Sequence, residues 1–326
     1  MTVMGRLNYY RRVASAYLTS RQSHLTFWHD IPSVNESSRS DVLGPYYMTF
    51  RSKADYESHY DRLGVPMLDY QGSVGIQYNP IAIAQYGLGN YNLLEETGDE
   101  LRRSRFLIAA DWLAEHLEKN DHGVPVWNHH FDWEYRTPLR DPWYSALSQG
   151  QGLSVLVRAH QLSGNDRYLE TAERAFEAFM RELEEGGVTY RDKAGHIWLE
   201  EVIVSPPTHI LNGFMWAAWG VYDYWLHTRV GPALNLFSEA NRTLIDRLHE
   251  FDTGWWSLYE QAGKRMKMLA SPFYHALHIV QLRVMHRLTH EILFLDYARR
   301  WDGYRNRPIT RRYAMAHKAA FKLLYY

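Results

Sequence analysis

Two neighbouring carboxylates, Glu200 and Glu201, open the segment EEVIVSPPTHILNGFMWAAWGVYDY (200–224), which reads as setting the pair and a buried-looking Asn on a rigid aromatic helix. A carboxylate pair there can do acid–base work, and Asn212 can hydrogen-bond a ligand. Two other blocks, 64–92 and 258–282, hold more Tyr, His and Gln than a plain core accepts, so the three together describe a cleft. Gln77, Tyr78, Gln85 and Tyr86 read as cleft lining, because two amides beside two phenols are costly in a dry interior. A satisfied polar network between helices competes with that reading. The same two readings apply to Tyr144, Gln149 and Gln151.

His275 and His278 share a helix face, which permits metal binding, but no motif places a third ligand. His129 and His130 in WNHHFDW point to opposite sides of an extended chain, so solvent or sugar contact outranks a metal, and no metal is expected. The glycines of QYGLGN follow a helix and lack the strand context of a nucleotide loop. Aromatics make up 15% of residues, with 24 Tyr and 12 Trp, a surplus suited to stacking on sugar C–H faces and hydrogen-bonding hydroxyls. Large helical cores that use Trp and Tyr as filler would show the same composition.

Length admits one large helical domain or two ordinary ones. The 36 basic and 37 acidic residues nearly cancel, so no overall field would draw in nucleic acid or an anionic membrane, and an acidic ligand must be met locally. Cysteine is absent, which excludes disulfides, thiolate metal sites and a Cys nucleophile, and suits a reducing, cytoplasmic setting. The longest apolar stretch, 213–226, contains Asp223 and falls short of the roughly 20 residues that stable membrane insertion needs. The first residues, MTVMGRLNYYRRVASAYLTSRQ, lack a continuous apolar run and read as a solvated helix face rather than a secretion signal.

Holding these residues requires helices in series. The pattern predicts them over 80–96, 100–119, 144–163, 166–185, 207–229, 232–250, 274–288, 291–300 and 311–323, with Pro80 at a first turn and one apolar stripe at Leu107, Ala110, Leu113, Ala114 and Leu117. Alternating stretches at 123–135 and 187–202 predict short inserted β-hairpins. Helical hairpins recurring every roughly 40 to 60 residues point to a mainly α fold, an (α/α) toroid or barrel whose inner helices surround a cleft. Residues 1–75 are less periodic and form a small extended or β-rich segment, leaving 76–326 for the toroid.

The ordered series VGIQYNPIAIAQYGLGNYN (74–92), WYSALSQGQGLSVLVRAH (143–160), EEVIVSPPTHILNGFMWAAWGVYDY (200–224), TGWWSLYE (253–260) and YHALHIVQL (274–282) resembles the catalytic region of D-glucuronyl C5-epimerases, which act on heparosan and heparan sulfate precursors. The resemblance implies a polysaccharide lying in a cleft of the toroid, inversion at C5 of a uronic acid without a cofactor, and a homodimer. It places Glu201 on the catalytic glutamate, Tyr259 and Tyr274 on two cleft tyrosines and Asn212 on a substrate-binding asparagine. Three positions depart from it: Val202 stands where a catalytic tyrosine is expected, and Ala262 and Ser271 stand where arginines are expected. Lys264, Arg265 and Lys267 lie near enough in sequence to substitute.

Removing a C5 proton beside a carboxylate puts a second negative charge on a charged group, so the site must supply donors or cations, each worth on the order of 3 kcal/mol. Asn212, His209, His275 and the basic run Lys264 to Lys267 are the candidates. Inversion then needs a base on one sugar face and an acid on the other. Glu201 and Tyr274 fit these roles in either order, with Tyr259 as alternate proton carrier or as donor to the ring or linkage oxygen. The expected function is a uronyl C5-epimerase acting within a glycan chain. The alternatives are a polysaccharide lyase, which follows the same abstraction with loss of the C4 substituent, and a uronan-binding protein that lacks catalysis because of Val202.

Overall fold

A computed structural model describes residues 27–28, 32–262 and 265–325; the N-terminal stretch read above as a solvated helix, and Lys264, lie outside them. Among the described residues, long helices alternate in chain order: α1 (Pro80–Thr97), α2 (Glu100–Glu115), α3 (Ala146–Ser163), α4 (Asp166–Phe176), α5 (Leu211–Thr228), α6 (Gly231–Arg247), α7 (Pro272–Thr289), α8 (Ile292–Arg305) and α9 (Pro308–Tyr325). Local chemistry sets their starts. Asn79 caps α1 through Ile81 and Ala82 with Pro80 in its first turn, Ser145 caps α3, and Ser271 caps α7.

Burial separates two rings. Helices α1, α3 and α5 are buried nearly all round, as inner helices must be, whereas α4 and α6 carry one apolar face each against them. Each inner helix packs on the outer helix that follows it, and α1 touches α3, α3 touches α5 and α5 touches α7. The result is the mainly helical (α/α) toroid expected from the spacing.

Close approach of α3 and α5 explains two glycines. A Cβ on Gly220 would lie 1.9 Å from the Gly150 carbonyl oxygen, and one on Gly150 would lie 2.6 Å from the Ala217 Cα. Any side chain there would drive the two helices apart.

Strands are short. β1 (His59–Tyr60), β2 (Pro66–Asp69) and β3 (Ile76–Gln77) form an antiparallel sheet before α1, with β3 past residue 75. Hairpin β6 (Thr189–Arg191) and β7 (Ile197–Leu199) lies where the alternation placed one. The other predicted hairpin differs: only β5 (Pro125–Val126) pairs, with β4 (Glu118–Lys119), so α2 stops at Glu115 and 127–143 is a loop pinned by isolated bridges. Likewise α4 ends at Phe176, where the chain tightens into two 3₁₀ turns before Gly186 in the left-handed region.

The segment before α1 is stitched to the toroid by a buried ion pair. Arg158 on α3 meets Asp223 on α5 at 2.6 Å, Arg158 Nε donates to the Gly44 carbonyl at 2.8 Å, and the Tyr47 hydroxyl donates to Asp223 at 2.7 Å. Removing one partner strands the other charge in the core, so Arg158→Met should cost about 3–5 kcal/mol by urea denaturation, and adding Asp223→Leu should restore much of that loss. Equal stability of wild type and the single variant would show that the pair contributes nothing. Among the described residues, no helix is long and apolar enough to cross a membrane.

Candidate active site

Successive residues of an extended chain point to opposite sides, and the carboxylate pair obeys that rule. The Glu200 N–H continues the hairpin by donating to Val188 O at 2.9 Å, and its carboxylate is fully buried against His209, with Nδ1 to Oε1 at 2.5 Å and the backbone N–H to Oε2 at 3.1 Å. His209 takes a positive φ of 50° and stacks on Trp198 with ring centroids 4.2 Å apart. Glu200 and His209 therefore form a brace that fixes the loop entering α5.

Glu201 turns the other way, onto the first turn of α5. Asn212 Nδ2 donates to its Oε2 at 3.2 Å, and Gln281 Nε2 on α7 holds the Asn212 carbonyl at 2.9 Å. A Cβ on Gly213 would stand 2.1 Å from Glu201 Oε2, so only glycine lets the carboxylate reach the helix start. Gly213→Ala should displace the carboxylate by about an ångström and lower any reaction it serves by roughly 100-fold, with thermal stability as the control. Unchanged turnover in that variant would mean that the position of Glu201 does not matter.

Although Glu201 is not sealed from solvent as a residue, protein surrounds its carboxylate. That desolvation, reinforced by the charges of Glu260 and Glu200 and opposed by bonds from Asn212 and the Gly213 backbone, pushes its pKa up to about 8. A carboxyl raised in this way binds its proton more readily when folded than when unfolded. Its contribution to stability is full below the ordinary carboxylate value and is lost as pH climbs towards 8. Chemical denaturation across that range should show the wild type losing stability faster than Glu201→Gln; parallel slopes would contradict the raised pKa.

Tyr259 and Tyr274 face the same place. Their rings meet edge to face with centroids 4.8 Å apart, and the Tyr259 carbonyl accepts from the Leu211 N–H at the head of α5 at 3.1 Å. Ser271, where the resemblance expects an arginine, caps α7 by accepting from the Tyr274 N–H at 3.2 Å and so fixes that tyrosine's backbone. Val202 packs with Ile210, Tyr259, Met268 and Phe321, an apolar patch in place of the expected phenol.

Four groups escaped the sequence reading. Glu260 is buried beside Tyr259, ion-paired with Arg136 at 2.7 Å and hydrogen-bonded by the Tyr135 hydroxyl. Desolvation raises its pKa against the opposing pull of Arg136, Tyr135 and Lys318. The Lys318 ammonium on α9 lies 4.8 Å from the Tyr259 ring centroid and 5.3 Å from that of Tyr274. Adjacency to Tyr259 was a usable signal for Glu260; nothing local marks Tyr135, Arg136 or Lys318, which arrive through tertiary contact.

Several expected cleft residues sit elsewhere. Gln149 is fully buried, accepting from Trp127 N–H and donating to the Pro125 and Ala175 carbonyls, so it braces a loop rather than contacting ligand. His275 is also interior, stacked on Trp256 and bonded to Ser257 Oγ and the Trp301 carbonyl, and burial lowers its pKa to about 4. It is thus a neutral core imidazole, and the cation expected of it is not available. Gln85 donates to Gln151 between α1 and α3, and Tyr86 is buried against Tyr60. Tyr78 donates to Asp61 and lies against Trp112, while Tyr144 packs on the main core. Of these four, Gln85 and Tyr78 have polar side-chain partners within the protein, while the Gln85 Oε1 and Gln151 Nε2 atoms are buried without one. Arg265 is exposed, and His209 bonds Glu200, which points away from Glu201.

Residues 119–303 match the family described as D-glucuronyl C5-epimerase C-terminus. The chain belongs to that family. It is 31% identical over 217 residues to the D-glucuronyl C5-epimerase of Caenorhabditis elegans, covering 61% of this chain and 34% of that protein. An archaeal protein of Methanocaldococcus jannaschii is 31% identical over 192 residues, covering 58% of this chain and 60% of its own length. The chain thus spans less than two thirds of either relative. Among solved structures, the cellobiose 2-epimerase of Bacillus thermoamylovorans shares the fold, with a TM-score of 0.54 at 11% identity over 86% of this chain and 83% of that one.

Proposed function

We propose that the chain is a cofactor-independent uronyl C5-epimerase acting on D-glucuronate residues within a polysaccharide of the heparosan kind. The observation that carries this reading is Glu201, an acid held by Asn212 with its pKa raised to about 8, at the start of a helix whose first N–H bonds the Tyr259 carbonyl, with the Tyr259 ring packed on that of Tyr274. A base works best when its pKa lies near the operating pH, which Glu201 meets and an ordinary phenol, near 10, does not. Ionised Glu201 takes the C5 proton. The C–H electrons pass into the sugar carboxylate as an enediolate, and the Tyr274 hydroxyl returns a proton to the opposite face. Tyr259 donates to the ring or linkage oxygen, proton exchange with solvent returns Glu201 and Tyr274 to their starting forms, and the same steps run backwards convert the inverted epimer to the starting one.

Membership of the family and the name of the Caenorhabditis elegans relative support glucuronate as the substrate. Self-association into a dimer belongs to the same reading and is checked by light scattering. Incubating heparosan with the protein and following its sugars by NMR tests the function: appearance of the C5-inverted residue without chain cleavage is expected. A new ultraviolet-absorbing double bond would instead mark β-elimination, and unchanged sugar despite measurable binding would mark a binding protein.

A further inference from the structure

A site with two carboxylates, Glu201 and Glu260, repels an acidic sugar unless a cation faces the incoming charge. Arg136 pairs with Glu260 at 2.7 Å, Lys318 also draws that carboxyl towards ionisation, and Arg265 stands exposed. Lys318 lies within about 5 Å of both tyrosine ring centroids, 4.8 Å from one and 5.3 Å from the other. Its helix is fixed there: Phe321, one turn further on, is 1% exposed in the apolar patch formed with Val202, Ile210 and Tyr259. A lysine ammonium is a compact charge with rotatable donors on a flexible stem, able to swing from ring faces to a carboxylate between them.

We propose that Lys318 binds the carboxylate of the sugar undergoing reaction, making the last helix part of the site and the residue that selects uronates over neutral hexoses. The inference rests on the epimerase reading for its substrate, but binding tests it separately. Titration calorimetry would compare a heparosan oligosaccharide with its carboxyl-reduced counterpart, on wild type, Lys318→Met and Lys318→Arg, alongside C5 deuterium exchange. Wild type should prefer the acidic sugar by about tenfold or more. Lys318→Met should erase that preference while leaving the neutral sugar's affinity unchanged, and Lys318→Arg should keep most of it. Should the Met variant unfold the last helix, Lys318→Gln, which retains a polar side chain, makes the same comparison.

Undiminished preference in the neutralised variant, or no preference in wild type, overturns the assignment. So would faster exchange after Lys318→Met, which would make the helix an obstruction. Lysine-dependent preference without any exchange would sustain the carboxylate site and reject the epimerase reading alone.

Discussion

Glu201→Gln should lower C5 proton exchange on a uronan by at least about 100-fold while leaving the fold intact, the contribution of one aligned general base. Glutamine keeps the volume of the side chain and an oxygen to accept from Asn212 Nδ2, now 3.2 Å from the carboxylate, so the start of α5 keeps its geometry. What it loses is the ability to take a proton. Because the variant also removes a buried titrating group beside Glu260, its melting temperature at pH 8 should equal or exceed that of wild type. Comparable exchange in the two proteins would remove Glu201 from the chemistry.

Tyr274→Phe is expected to be nearly as severe, again about 100-fold or more, for the complementary reason that the proton has no route back to the opposite sugar face. The ring and its 4.8 Å edge-to-face contact with Tyr259 survive, and Ser271 still accepts from the backbone N–H of residue 274, so structure is preserved. A specific signature distinguishes it from Glu201→Gln. If abstraction persists without delivery from the far face, label enters the starting epimer faster than inverted product forms. Tyr259→Phe should cost less, since that hydroxyl supports binding or an alternate path. Inversion at the wild-type rate in Tyr274→Phe would reassign the acid.

The helical frame was readable because its signals are local. Asn79–Pro80, Ser145 and Ser271 mark helix starts, and long apolar runs such as 211–224 mark the inner ring. The hairpin read at 123–135 was misplaced because its residues pair outside that span: 125–126 pairs back onto 118–119, and 129 and 133 bridge 143 and 139 in antiparallel register. In the site, Glu201, Asn212, Tyr259 and Tyr274 were read from the ordered motifs; Asn212 bonds Glu201, the Tyr259 carbonyl bonds the Leu211 N–H at the head of α5, and the Tyr259 ring meets that of Tyr274, while their roles belong to the proposal. Gln149 and His275 misled because polarity in a core segment signals a buried brace as readily as a ligand contact. Arg136 and Lys318 lie far along the chain from the segment they join, and sequence spacing carries no record of such contacts.

The most direct measurement is the pH dependence of solvent deuterium incorporation at C5 of a heparosan oligosaccharide, read by NMR or mass spectrometry on the wild-type protein. Exchange should rise as Glu201 ionises, with a midpoint near 8, and that rising limb should vanish in Glu201→Gln. Absence of label at every pH, or a profile unchanged by the substitution, would contradict a catalytic base at residue 201.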